Sequence, residues 1–145
     1  MRARKSTPAA DQMFLDRVTR GATMLDAAIP DWYKVVDAKS IDLNSSETCV
    51  LAQCWPLCRT KVANLPWHAT YIRVGTPFGA TCEYLHTIGY QVDLHRMGFG
   101  LSPYDEDRHR FLRRAWAREI ECRRAKDKAV PIPVLDVVPE YVLTA

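Results

Sequence analysis

The sequence predicts an α+β domain, mainly α: three or four helices around one core, a minor two-stranded β element and an extended C-terminal tail. Three observations lead to it. Apolar residues recur every three or four positions in two long stretches near the ends of the chain. Cap residues and prolines stand where helices of that length would begin and end. A weak alternation at residues 90–94 and three prolines in the last 16 residues point to extended backbone.

The first helix is expected over about Pro8 to Ala28. Thr7 suits the N-cap and Pro8 the first helical position, where no backbone donor is needed. Phe14, Val18, Ala22, Leu25 and Ile29 form one apolar stripe, and Pro30 ends the helix. Gly21 in its middle costs helix stability and marks a close packing contact. A short buried helix is expected near Ser45 to Cys54, with Asn44 and Glu47 as a capping box and Trp55-Pro56 as its stop. Residues 56–75 are rich in aromatics and prolines and have no clean period.

A further helix should run from Pro77 to Ile88, capped by Thr76, with Gly89 as the residue after its end. Tyr90 to Leu94 reads as a strand. The last helix is the clearest. Ser102 caps it, Pro103 takes its first position, acidic residues crowd its start, and Arg123, Arg124 and Lys126 crowd its end, the order the helix macrodipole favours. Phe111, Leu112, Ala115, Trp116 and Ile120 make its apolar stripe. Trp116 is expected at the centre of the core, against the first helix through Val18, Ala22 or Leu25. The tail from Val130 to Leu143 carries Pro131, Pro133 and Pro139 and is expected to be extended.

With 145 residues, 48% hydrophobic and 26% charged, the chain reads as a single globular domain over 1–145. Residues 1–7 and 140–145 are expected to be ragged ends. The net charge is only +3, short of the excess of a dedicated nucleic-acid binder. It is unevenly placed, however: residues 108–128 carry nine Lys/Arg against three Asp/Glu, and residues 11–58 carry four against seven. The basic start, Met1-Arg2-Ala3-Arg4-Lys5, is followed by no apolar stretch of signal-peptide type, and no run is long enough to span a membrane. The expected setting is a cytoplasm, with reduced thiols.

Arg20-Gly21-Ala22-Thr23-Met24-Leu25-Asp26, then Pro30-Asp31-Trp32, then Ile41-Asp42-Leu43-Asn44, then Cys49-Val50-Leu51-Ala52-Gln53, together with the helix Leu112 to Ile120, form an ordered set. This set resembles a family of small uncharacterised proteins of actinobacteriophages and of prophage-like regions of actinobacteria. Those proteins read RG, LLDE, PGW, IDLD and CVLGQ in the same order. The resemblance covers roughly residues 17–55 and 85–124. Ala52 and Cys54-Trp55 depart from the pattern, where the family favours Gly, Leu and an aromatic followed by Gly. The resemblance implies a phage or prophage setting and implies no activity.

Chemistry-bearing constellations are few. Cys49, Cys54 and Cys58 are separated by four and three residues, without the Cys-x₂-Cys turn of structural zinc sites, and read as small buried thiols with no metal or other cofactor expected. Asp93 and His95 would share one side of a strand but have no nucleophile beside them. No phosphate-cradling glycine loop, Gly-x-Ser-x-Gly or His-Glu-x-x-His motif occurs. Two binding surfaces remain. Trp55, Trp67 and Tyr71 lie in the aromatic, proline-rich stretch and suit a protein–protein interface. Arg110, Arg113, Arg114 and Arg124 fall broadly opposite the apolar stripe of the last helix and suit phosphates. The expected function is that of a non-catalytic phage-type protein that binds a host or phage protein in the host cytoplasm. The alternative is a nucleic-acid-binding accessory or regulatory protein.

Overall fold

A computed structural model describes residues 8–62, 75–100 and 106–129. Among these the chain forms six α-helices: α1 (Pro8–Ala28), α2 (Trp32–Val35), α3 (Val50–Gln53), α4 (Trp55–Val62), α5 (Pro77–Thr87) and α6 (Glu106–Ala129), with a 3₁₀ turn at Ala38–Ser40. Thr7, Ser102, Pro103, residues 1–7 and 140–145, and the tail from Val130 lie outside the described residues.

The two long helices, α1 and α6, lie side by side and run parallel. Phe14 meets Phe111 edge-on at 6.4 Å. Further along, the Thr19 hydroxyl donates to Glu119 at 3.2 Å, and Arg123 reaches Asp26 at 2.8 Å. Their facing stripes, Phe14, Val18, Ala22 and Leu25 on one and Leu112, Trp116 and Ile120 on the other, are buried. The core closes over them with Trp32, Val36, Ile41, Val50, Leu51 and Leu85. Trp116 is fully buried, as its place in the stripe requires. Its ring stacks on Phe99 at 5.2 Å and meets Trp32 edge-on at 5.7 Å, and its Nε1–H donates to the carbonyl of Gly98 at 2.7 Å.

No strand occurs among the described residues, so the two-stranded β element is not formed there and the domain is helical. The alternation at Tyr90 to Leu94 is real in burial: Tyr90, Val92 and Leu94 pack on the core, while Gln91 and Asp93 are exposed. This stretch has no regular secondary structure and packs on the core through one side. It ends in a turn in which Asp93 Oδ1 accepts the backbone N–H of Arg96 at 3.0 Å and the N–H of Phe99 reaches the Leu94 carbonyl at 3.0 Å. Alternation reports one buried side, and a strand needs a second strand as well.

Two helix boundaries also differ from expectation. The Asn44 capping box is not formed. Ser45 Oγ accepts from Glu47 N and Thr48 N, both at 3.1 Å, so residues 45–48 are a turn held by a side chain. The helix begins later, with the Cys49 sulfur accepting from Ala52 N at 3.4 Å. Trp55-Pro56 does not end helical structure but opens α4, because a proline at the start of a helix gives up only a donor that has no partner there. By contrast, α1 and α5 match the reading, and Thr76 caps α5 by accepting from Gly79 N at 3.1 Å. Gly89 follows α5 at φ 102°, a conformation open to glycine.

Several of the residues that carry the resemblance hold the scaffold together. Arg20 donates to the Arg96 carbonyl at 2.8 Å, and Gly21 packs against the backbone of Met97. Asp26 accepts from Trp32 Nε1 at 2.9 Å and takes a bidentate grip from Arg123, whose guanidinium also lies over the Trp32 ring at 5.5 Å and donates to Glu119 at 2.7 Å. Arg123, with the Trp32 N–H, holds the Asp26 carboxyl below its ordinary value of 3.8. A depressed carboxyl stabilises the fold fully above its ordinary value, and that contribution is lost as the pH falls through the folded-state titration. Asp26→Asn should therefore lower stability near neutral pH and flatten the fall of stability in acid, read from urea midpoints at stepped pH. An acid limb identical to that of the unsubstituted protein would mean that this pair contributes nothing to folding.

Candidate functional site

The parallel pairing of α1 and α6 leaves a trough on their outer side. Its floor is apolar: Leu15 from α1 with Phe111 and Ala115 from α6. Arg114 and Arg118 complete it, and the enclosed space is about 180 Å³. Both guanidinium-bearing residues are exposed. Neither makes a hydrogen bond or ion pair with a described residue. Three acids of these two helices are engaged with other side chains. Asp107 pairs with Arg110 at 3.4 Å, Glu119 with Arg123 at 2.7 Å, and Asp16 accepts from Gln12 at 2.8 Å. Two uncompensated charges beside an apolar floor form a surface suited to an anionic partner that also has something apolar to bury.

Of the four arginines read as a phosphate-binding face, only Arg114 is both exposed and unengaged. Arg110 is exposed but paired with Asp107. Arg113 is half-buried, and its Nε is enclosed without a partner. Arg124 has structural work: it donates to the carbonyls of Tyr33 at 2.9 Å and Val36 at 3.0 Å, closing the end of α2. Beside it the Tyr33 hydroxyl donates to Asp127 at 2.6 Å, and this bond pushes the phenol up to about 12. Arg118 was missed as a site residue. The signal was present, since Phe111 and Arg118 are seven positions apart and so lie on one side of a helix.

Of the aromatic set, Trp67 and Tyr71 lie outside the described residues. Trp55 is half-buried and packs on the core at the start of α4. Asp93 and His95 do not form a paired site; Asp93 caps the turn before Phe99, and His95 is exposed.

A second, polar groove of about 440 Å³ lies where the 41–44 loop meets the start of α6, lined by Ile41, Asp42, Asn44, Glu106, His109 and Arg113. His109 is buried, and its Nε2 accepts the backbone N–H of Leu43 at 3.0 Å, with Asp42 Oδ1 at 3.4 Å. An Nε2 that accepts a backbone proton has no lone pair left for base chemistry. Asp42 itself accepts from Asn44 N at 3.0 Å. His109 thus holds the loop on the helix, and Asp42 holds the loop's own turn.

The five cysteines are free thiols. Cys49, Cys54 and Cys58 are buried, Cys82 is half-buried and Cys122 is exposed. Burial pushes Cys54 well above the ordinary thiol range, Cys58 up to about 12 and Cys82 up to about 11, and raises Cys49. Protonated thiols are poor nucleophiles and poor metal ligands. Among the described residues no group of three or more His, Cys, Asp or Glu could hold a metal ion, and no helix is long and apolar enough to cross a membrane. No family model matches the chain, and neither does any curated protein or solved structure.

Proposed function

We propose that this is a non-catalytic binding protein of phage type that acts on a protein partner in the host cytoplasm, through the outer face of α1 and α6. The observation that supports it is the pair of exposed, unengaged guanidinium groups of Arg114 and Arg118 beside the apolar floor of Leu15, Phe111 and Ala115. A solvated arginine face needs no apolar floor, whereas a protein interface draws on both. The phage setting and the kind of host rest on the resemblance alone. The second reading, nucleic-acid binding, is tested on this same face, because Arg110 is paired with Asp107 and Arg124 is spent on backbone carbonyls.

Cys122 supplies the test. It is exposed and lies four residues after Arg118, while the other four thiols are buried or half-buried. A benzophenone maleimide added near neutral pH should label Cys122, and irradiation in actinobacterial extract should then give a protein adduct that survives nuclease treatment. The charge reversals Arg114→Glu and Arg118→Glu together should remove that adduct without loss of helix content. A nuclease-sensitive adduct that falls steeply with salt would assign the face to nucleic acid instead. An adduct untouched by the double reversal would overturn the use of this face.

A further inference from the structure

The trough between α1 and α6 has a repeat along its length that specifies more than an acidic partner. Arg114 and Arg118 are four residues apart on α6, which places them about 6 Å apart along the helix axis. Two carboxylates at i and i+4 of another helix are offset by the same rise, and both fall on one of its faces. The floor between α1 and α6, about 180 Å³ bounded by Leu15, Phe111 and Ala115, has room for a single apolar side chain rather than a continuous strip. Two parallel helices also leave a straight channel into which a third helix can lie, the way amphipathic helices enter grooves elsewhere. Phe111 is the one aromatic ring in this floor and is half-buried beside Phe14 at 6.4 Å, whereas single-stranded nucleic acid is held by successive stacking rings.

We infer that this trough takes an acidic amphipathic helix of the partner protein, with one apolar side chain on Leu15, Phe111 and Ala115 and two carboxylates one turn apart on Arg114 and Arg118. This rests on the protein-binding reading above and narrows it to one kind of partner element. Carboxylates meet arginine in charge-assisted, two-pronged hydrogen bonds, which fix the register of the bound helix as well as its charge. The apolar side chain excludes water from between them, and that strengthens the pairs beyond the exposed value of a surface salt bridge.

The probe is a synthetic peptide of about 15 residues, the shortest length at which a helix persists in water. It carries one leucine at the middle of one face and glutamate at i and i+4 beside it. Amide chemical shifts of the full chain should move at Leu15, Phe111 and Ala115 as the peptide is added. The affinity should drop at least tenfold for Arg114→Glu with Arg118→Glu, and by a similar factor when the peptide's glutamates become glutamine. Both arginines are exposed, so the reversal should leave the helical circular dichroism unchanged. Shifts confined to another surface, no shifts at millimolar peptide, or affinity indifferent to the reversal would each overturn the inference. So would duplex DNA that displaces the peptide. If the peptide fails while the Cys122 adduct remains a protein and still depends on Arg114 and Arg118, the acidic helix is wrong and the protein-binding reading stands. If both fail, the face itself is wrong.

Discussion

Trp116→Ala is expected to lower the stability of the fold by about 3–5 kcal/mol, the range for removing a buried tryptophan or phenylalanine side chain. Three features push it toward the upper end. The indole is fully buried, stacks on Phe99 at 5.2 Å and abuts Trp32 at 5.7 Å, so its removal opens a cavity whose aromatic walls cannot both collapse into it. Its Nε1–H is the partner of the Gly98 carbonyl at 2.7 Å, and a buried acceptor left unpaired costs about 1–3 kcal/mol by itself. Natural domains hold only about 5–15 kcal/mol in all, so the loss removes a large share of the total. Trp116→Phe separates the terms: it keeps most of the ring volume and loses the hydrogen bond, and should cost about 1–3 kcal/mol. Urea midpoints for the two variants measure both. An alanine variant within about 1 kcal/mol of the unsubstituted protein would mean that the core is not organised around this ring.

Several parts of this fold were legible from local chemistry. Pro8, Pro30, Thr76, Pro77 and Gly89 act through their own backbone or the next turn, and α1 and α5 begin or end where they stand. Trp116 was legible because an apolar stripe of about three turns leaves one place for its largest member. The failures came where a residue had two local uses and distant packing chose between them. Pro56 can stop one helix or start the next; here α4 starts. Ser45 and Asn44 are both good caps, and the turn at 45–48 took Ser45 while Cys49, buried, capped α3 instead. The alternation of Tyr90, Val92 and Leu94 described burial faithfully and pairing not at all.

The candidate site shows the same division more sharply. That Arg114 is exposed on α6 follows from its angle to Trp116 on a helical wheel. That Leu15 stands beside Phe111 does not follow from either helix, because it depends on α1 and α6 running parallel with Phe14 level with Phe111. The reading also gave Arg124 to a ligand, though it is spent on the carbonyls of Tyr33 and Val36, which are about ninety residues away in sequence. An arginine's number of free donors is a property of the folded chain. Many of the residues that bear the resemblance, Gly21, Trp32, Ile41, Leu43 and Cys49 among them, are buried in the core, while the stretch Leu112 to Ile120 that also bears it includes the exposed Arg114 and Arg118.

Gly21→Ala is expected to destabilise the protein by about 2 kcal/mol, against the sign of the usual helix rule. In an exposed helix interior this change gains about 1 kcal/mol, because glycine is that much the poorer helix former. Here Gly21 is buried, and the added Cβ would collide with the Met97 carbonyl oxygen and lie 3.2 Å from the Phe99 ring. The obstacle is backbone, and it cannot step aside freely. Arg20 holds the Arg96 carbonyl beside it, Asp93 caps the same turn, and Gly98 next in line sits at φ 73° against Val18. Overpacking of this kind costs about 1–3 kcal/mol and occasionally more, which outweighs the propensity gain. The turn that must shift also carries the Gly98 carbonyl that receives the Trp116 N–H, so the two sites share one support. Gly21→Ala and Trp116→Phe should therefore combine to less than the sum of their separate losses, with a coupling of about 0.5 kcal/mol or more in a double-mutant cycle of urea midpoints. A stabilising Gly21→Ala would show that α1 does not rest on Met97, and strict additivity would show that the turn does not join the two sites.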